Sequence, residues 1–198
     1  MPFDTTIHHI LRLSAAGLVL AATTAVASDE VPSSAAAASP RCAVWLREAS
    51  FAASVEHHDA KAFASHLAAG AVFLNGRPPH FQGEAAVIEG WAGIVAGEGL
   101  ILRWHPDFVA IGGDGRTALS RGPFTMERAA DPAAESAAAK VNPDDRFRIG
   151  TFQSVWTKDD DGSWKVMFDG GGPPPQPATE AVVRAMQASW KPDCPLRD

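Results

Sequence analysis

His105-Pro106-Asp107 sets an imidazole and a carboxylate two residues apart on a segment that the proline biases towards extended backbone, so both side chains project from one face. An imidazole titrating near neutrality beside a carboxylate suits proton transfer to, or dehydration of, a bound molecule. The alternative is a solvent-exposed pair at a strand bulge. Trp104 and Phe108 then share the opposite face. His80, in a proline-rich loop, is a candidate helper at a pocket entrance or a plain exposed residue. Asp169 ends a strand before three glycines, where its carboxylate either faces a pocket or bonds backbone donors. Arg121 and Arg148 either clamp a ligand carboxylate or act as outer-face ion-pair partners, worth about 0 to 1 kcal/mol each.

Other chemistries find less support. His57, His58 and His66 include no i, i+4 pair, and neighbouring His57 and His58 point about 100° apart on a helix, so no metal is expected and these are read as surface or interface histidines. No phosphate-cradling loop, dinucleotide fingerprint or Cys-x-x-Cys motif is present, and no cofactor is expected. The aromatic residues Trp91, Trp104, Phe124, Phe152, Trp156 and Trp164 can line a pocket or fill a core.

These residues must be positioned by the following elements. Phe147 to Gly172 reads as two strands joined by an Asp161-Gly162 turn; strict alternation sets Trp164, Val166 and Phe168 on one face and Lys165, Met167 and Asp169 on the other. Upstream, Val44, Phe51 and Val55 recur at helical spacing, Asp59 caps a second, short helix, Ala71 to Leu74 is a short strand, and Val87 to Val95 lies on a third helix. Leu100 to Gly112 is a strand interrupted at Pro106, and Thr117 to Arg128 is its partner. Ala129 to Asp145 is an Ala-rich surface insertion, and Val183, Met186 and Trp190 mark a last helix.

The 198 residues allow one domain plus extras, and 46% hydrophobic content is ordinary for a soluble globular protein. A net charge of -6 gives no reason to approach nucleic acid. Arg12, an apolar run from Leu13 and Ala25-Val26-Ala27 read as a cleaved signal peptide over residues 1–27, too short to remain as a stable membrane anchor. Residues 28–41 read as a disordered linker, 42–177 as the folded domain and 178–198 as a C-terminal helix and tail. In a periplasmic or secreted setting, Cys42 and Cys194 are expected to pair rather than remain two unrelated thiols.

Several segments together resemble the nuclear transport factor 2-like superfamily of ketosteroid isomerases and SnoaL-like cyclases, most closely its functionally uncharacterised branch. They are His58-Asp59-Ala60-Lys61-Ala62-Phe63-Ala64, AVFLNG, QGEAAVIEGW and VWTKDDDGSWKVMFDGG, within Cys42 to Gly172. The resemblance implies an α+β cone, a curved antiparallel sheet wrapped around N-terminal helices, here with an extra C-terminal helix. It also implies a pocket for a small apolar or amphipathic molecule, and a homodimer through the sheet. Compared position by position, the oxyanion-hole tyrosine of the ketosteroid isomerases falls on Phe51, their carboxylate base on Asn75 and their protonated Asp on or near Ser154. The chain contains no tyrosine, Phe51 has no O–H and Asn75 takes no proton near neutrality, so that mechanism is not expected.

Three readings follow. The first is a binding cone without catalysis, its pocket formed by Phe51, Asn75, Trp91, Trp104, Phe124, Phe152, Ser154, Trp156 and Asp169. The second is a dehydratase, cyclase or isomerase using His105 and Asp107 with His80, and it requires the pair to face the cavity. The third is a homodimeric interaction domain.

Overall fold

The first helix, α1 (Pro40–Glu56), begins two residues inside the expected linker because Ser39 caps it, accepting from Cys42 N at 3.2 Å, and Pro40 occupies a first-turn position where no N–H is needed. Residues 39–74, 79–128 and 146–196 are described by the structure, a computed structural model. The expected signal peptide, Asn75 and the insertion at 129–145 lie outside the described residues. His58 turns the chain with φ of 60°, and Asp59 then caps α2 (Ala60–Ser65) by accepting from Ala62 N at 2.8 Å.

Strands β1 (Leu67–Leu74) and β2 (Phe81–Gln82) precede α3 (Glu84–Val95), and β3 (Leu100–Trp104), β4 (Phe108–Ile111), β5 (Thr117–Arg128), β6 (Phe147–Lys158), β7 (Trp164–Gly171) and β8 (Gln176–Ala178) follow, with α4 (Glu180–Ala188) last. The eight-stranded sheet runs β2-β1-β7-β6-β5-β3, with β4 also on β5 and β8 also on β6. It is antiparallel except where β1 lies parallel to β7, which makes the sheet mixed rather than wholly antiparallel. The curled sheet and the helices form the expected α+β cone, with Val44, Phe51 and Val55 of α1 buried against Trp104, Trp156 and Val166.

Two one-residue bulges set which side chains face inward. Between β3 and β4 the chain advances from Trp104 to Phe108 while its partner β5 goes only from Phe124 to Arg121. Gly122 is required there, because a Cβ would collide with the His105 carbonyl oxygen. Pro123 turns its missing N–H towards this bulge, where its carbonyl accepts from His105 N at 3.1 Å. In the hairpin, Val155 pairs with Phe168 but Trp156 pairs with Val166, leaving Met167 as the extra residue. Alternation therefore shifts by one: Trp164 and Val166 are buried, Phe168 turns outward at 46% exposure, and Asp169 turns inward.

The C-terminal segment is fastened on the other side. Thr179 caps α4, Val183 is buried, and Gln187 Nε2 donates to Thr125 Oγ1 at 2.9 Å. Cys42 and Cys194 form a disulfide with Cα atoms 5.6 Å apart, tying the chain end to the first turn of α1.

Candidate functional site

A cavity of about 1000 Å³ opens between the inner face of the sheet and α3. Trp91 from α3, Trp104 from β3, Phe124 from β5, Phe152 from β6, Asp169 from β7 and His80 from the loop before β2 are among its lining residues. Among the described residues, Asp169 supplies the cavity's only carboxylate.

Behind that wall lies a buried polar network. Ser120, Ser154 and Asp169 stand opposite one another across β5, β6 and β7, all on the inner face. Ser154 Oγ donates to Asp169 Oδ2 at 2.9 Å. Glu48, reaching over them from α1, is 0% exposed, and its two oxygens accept separately from Trp104 Nε1 at 2.7 Å and Trp156 Nε1 at 2.8 Å. The Ser154 and Ser120 hydroxyls also lie against the Glu48 carboxyl, although Ser120 Oγ makes no well-formed hydrogen bond.

Burial raises the pKa of Glu48, opposed by the indole and hydroxyl donors. Asp169 is raised to about 7, first by burial and then by the neighbouring negative charge of Glu48, with the Ser154 hydrogen bond opposing. Two carboxyls this close do not both ionise easily. Indole N–H groups only donate, and two of them satisfy an ionised Glu48, so the proton resides chiefly on Asp169.

Phe51 and Trp156 form the core behind the cavity rather than its wall: Phe51 is fully buried and its ring meets those of Phe63, His66, Phe73, Trp104 and Trp156. Trp164 is likewise a buried core residue. Ser154 stands behind Asp169.

His105 and Asp107 do not line the cavity. The β3–β4 bulge sends them to the sheet's edge, where the His105 ring stacks on Trp190 at 5.5 Å, meets Trp45 edge-on at 5.1 Å and bonds the Lys191 carbonyl at 2.7 Å through Nε2. Asp107 is exposed, so the geometric premise of an acid–base pair acting on a bound molecule is absent. Phe108, expected beside Trp104, faces outward instead, under the Arg121 guanidinium at 5.0 Å. Arg148 donates to the Pro175 carbonyl at 3.2 Å. His66 is buried rather than superficial; Nδ1 bonds the Ala62 carbonyl at 2.6 Å and Nε2 meets Ser50 Oγ at 3.1 Å. Among the described residues no three His, Cys, Asp or Glu side chains are grouped to hold a metal.

The sequence reading missed Glu48. The available signal was its place in the apolar stripe of α1, between Val44 and Val55 at helical spacing: a carboxylate there is buried and must find donors.

A protein described as a candidate ketosteroid isomerase from Shewanella frigidimarina superposes with a TM-score of 0.52 at 14% identity, covering 68% of this chain and 98% of that one. This chain has the nuclear transport factor 2-like fold. A candidate dehydratase of the nuclear transport factor 2-like family from Streptomyces avermitilis matches with a TM-score of 0.50 at 17% identity over 67% of this chain and 94% of its own. A nuclear transport factor 2-like superfamily protein from Salmonella enterica serovar Typhimurium gives 0.50 at 16% identity over 72% and 94%. No family model and no curated protein sequence matches the chain. The nuclear transport factor 2-like cone accounts for the cavity and its enclosing sheet, while the Glu48–Ser154–Asp169 network is read from this chain's own side chains.

Proposed function

We propose that the chain is an exported binding protein whose cone takes up one small, uncharged, apolar or amphipathic molecule, with Asp169 meeting its polar group. The observation that carries this is a cavity of about 1000 Å³ walled by aromatic and aliphatic side chains with one carboxyl group set into it. A protonated Asp169 donates a hydrogen bond to a carbonyl or hydroxyl oxygen without placing a charge in the cavity. Export is supported by the apolar leader ending at Ala27 and by the disulfide.

The test is titration with prodan, a neutral naphthalene ketone. Saturable, blue-shifted emission at one site per chain is expected, and Met126→Trp, which narrows the cavity, weakens it. No saturable change would overturn binding. Recovery of an N-terminus at Ser28 from a bacterial periplasm supports export, and an uncleaved Met1 start overturns it.

A homodimer through the outer face of the sheet is the second reading, favoured by Phe168 and Phe108 exposed there at 46% and 38%. A monomeric mass by light scattering at micromolar concentration overturns it.

A further inference from the structure

We infer that the cone also takes up a small organic cation, a protonated amine or quaternary ammonium on an apolar body, whose positive group lies against Asp169 between aromatic faces and supplies the countercharge that Asp169 and Glu48 lack. The inference rests on the cavity of the binding reading above and adds to it a second class of ligand.

Two carboxyl groups stand together here with no cation beside them. Asp169 lines the cavity, Glu48 lies behind it with no exposed surface, and no Lys or Arg is among the cavity's described lining residues. None of the ion pairs among the described residues includes either carboxyl. Their hydrogen-bond donors are neutral: Ser154 Oγ for Asp169, and the indole N–H groups of Trp104 and Trp156 for Glu48. Donors are also short, since Ser120 Oγ, fully buried against Glu48, makes no well-formed bond. A buried carboxylate without a countercharge carries a large desolvation cost, which a cation brought by the ligand offsets.

The walls suit a cation as well. Trp91 meets Phe73 at 85° and Trp104 at 81°, and Phe152 meets Trp104 at 64°, so ring faces stand at steep angles around the cavity that Asp169 lines. A ring face attracts a cation, and several faces together replace part of its water. Trp104 adds to this, because its N–H is given to the Glu48 carboxylate, which pushes electron density onto the ring that faces the cavity. Proton and cation compete for Asp169, which is raised to about 7. Glu48 from α1, Ser154 from β6 and Phe73 from β1 face it, and His80, from the loop before β2, is the other titratable group in the cavity's lining. Affinity for a cation therefore climbs with pH through about 7 and levels off above it.

The probe is trimethyl(2-naphthylmethyl)ammonium, whose charge does not change with pH. Calorimetric titration of the full chain is expected to show one site, with affinity up to roughly 30-fold higher at about pH 8.5 than at about pH 5.5, the ratio of the ionised fractions of a group titrating at about 7. Asp169→Asn is expected to bind the ammonium at both pH values as weakly as the parent does at the lower one, while still binding prodan. His80→Gln is expected to keep the pH response, and it decides the matter should Asp169→Asn not fold. Saturable prodan binding by the parent with no binding of the ammonium, or with equal affinity for it at both pH values, overturns the inference and leaves the binding reading standing. So does a pH response that Asp169→Asn retains or that His80→Gln abolishes. Binding of neither probe overturns both readings, whereas the ammonium binding as expected without prodan supports the cation and overturns the uncharged ligand.

Discussion

Trp104 and Trp156 grip one carboxylate from two different strands, each giving its indole N–H to a separate oxygen of Glu48. The pair turns what would be an unpaired buried charge into a fixed part of the core. It also fixes the orientation of two large aromatic residues of the inner sheet surface: their polar edges point at α1, and the Trp104 ring is left to face the cavity.

Replacing Glu48 by Gln exchanges an acceptor oxygen for an NH₂ group facing an indole N–H. One donor is left unsatisfied in the core, and a loss of about 1–3 kcal/mol is expected. Urea unfolding followed by tryptophan emission measures it, with no tyrosine present to contribute background. A variant as stable as the parent would show that the indole bonds are dispensable.

Stability has two opposed pH slopes. Asp169, raised to about 7, keeps its proton in the folded state and loses it on unfolding above about pH 4, so its contribution declines as pH rises from about 4 to 7. His66 is held down to about 4, by burial first and by the charge of Arg47 next, so it is neutral when folded, and its contribution is lost as pH falls from about 6.5 to 4. Each slope is on the order of 1.4 kcal/mol per pH unit at most, and between about pH 4 and 6.5 they oppose. Asp169→Asn is expected to make stability rise more, or fall less, with pH across this range than it does in the parent, with the raised Glu48 still opposing His66. Denaturation midpoints at stepped pH check it, and an unaltered profile would contradict the assigned protonation of Asp169.

Reduction of Cys42–Cys194 opens a cross-link between residues 152 apart in sequence. Chain-entropy reasoning gives a loss of about 5 kcal/mol. The thermal midpoint should fall on adding reductant, and a Cys42→Ser, Cys194→Ser double variant should match the reduced parent without responding to reductant itself.

Gly122→Ala puts a methyl group onto the His105 carbonyl oxygen, a backbone atom that cannot rotate away. A cost of about 1–3 kcal/mol is expected, with the β3–β4 bulge displaced. Gly113→Ala, whose Cβ meets nothing within 4 Å, is the matched control.

Most of the fold was legible because it rests on local signals. Asp59 before Ala62 gave the cap of α2, the Asp161-Gly162 pair gave the hairpin turn, and Val87, Trp91 and Val95 gave the inward side of α3. The site was less legible, for one physical reason repeated twice. Alternation assigns faces correctly only up to a bulge; beyond Pro106 it misplaced Phe108, and beyond Met167 it exchanged Phe168 with Asp169. Glu48 escaped for a different reason: its donors come from β3 and β6, remote in sequence, and no local pattern announces a partner that the fold alone brings near. The parallel pairing of β1 with β7 was hidden likewise, since it joins strands far apart in the chain.

Met167 carries a wider consequence. It has no partner on β6, so deleting it would leave Val166 opposite Trp156, Phe168 opposite Val155 and Asp169 opposite Ser154 and keep the acid in the cavity wall, whereas ironing out the bulge with Met167 retained would turn Asp169 outward. The hairpin thus carries one residue of slack: the character of the chamber is set by which residue of β7 faces Ser154, and the strand can lose its surplus member without losing that setting.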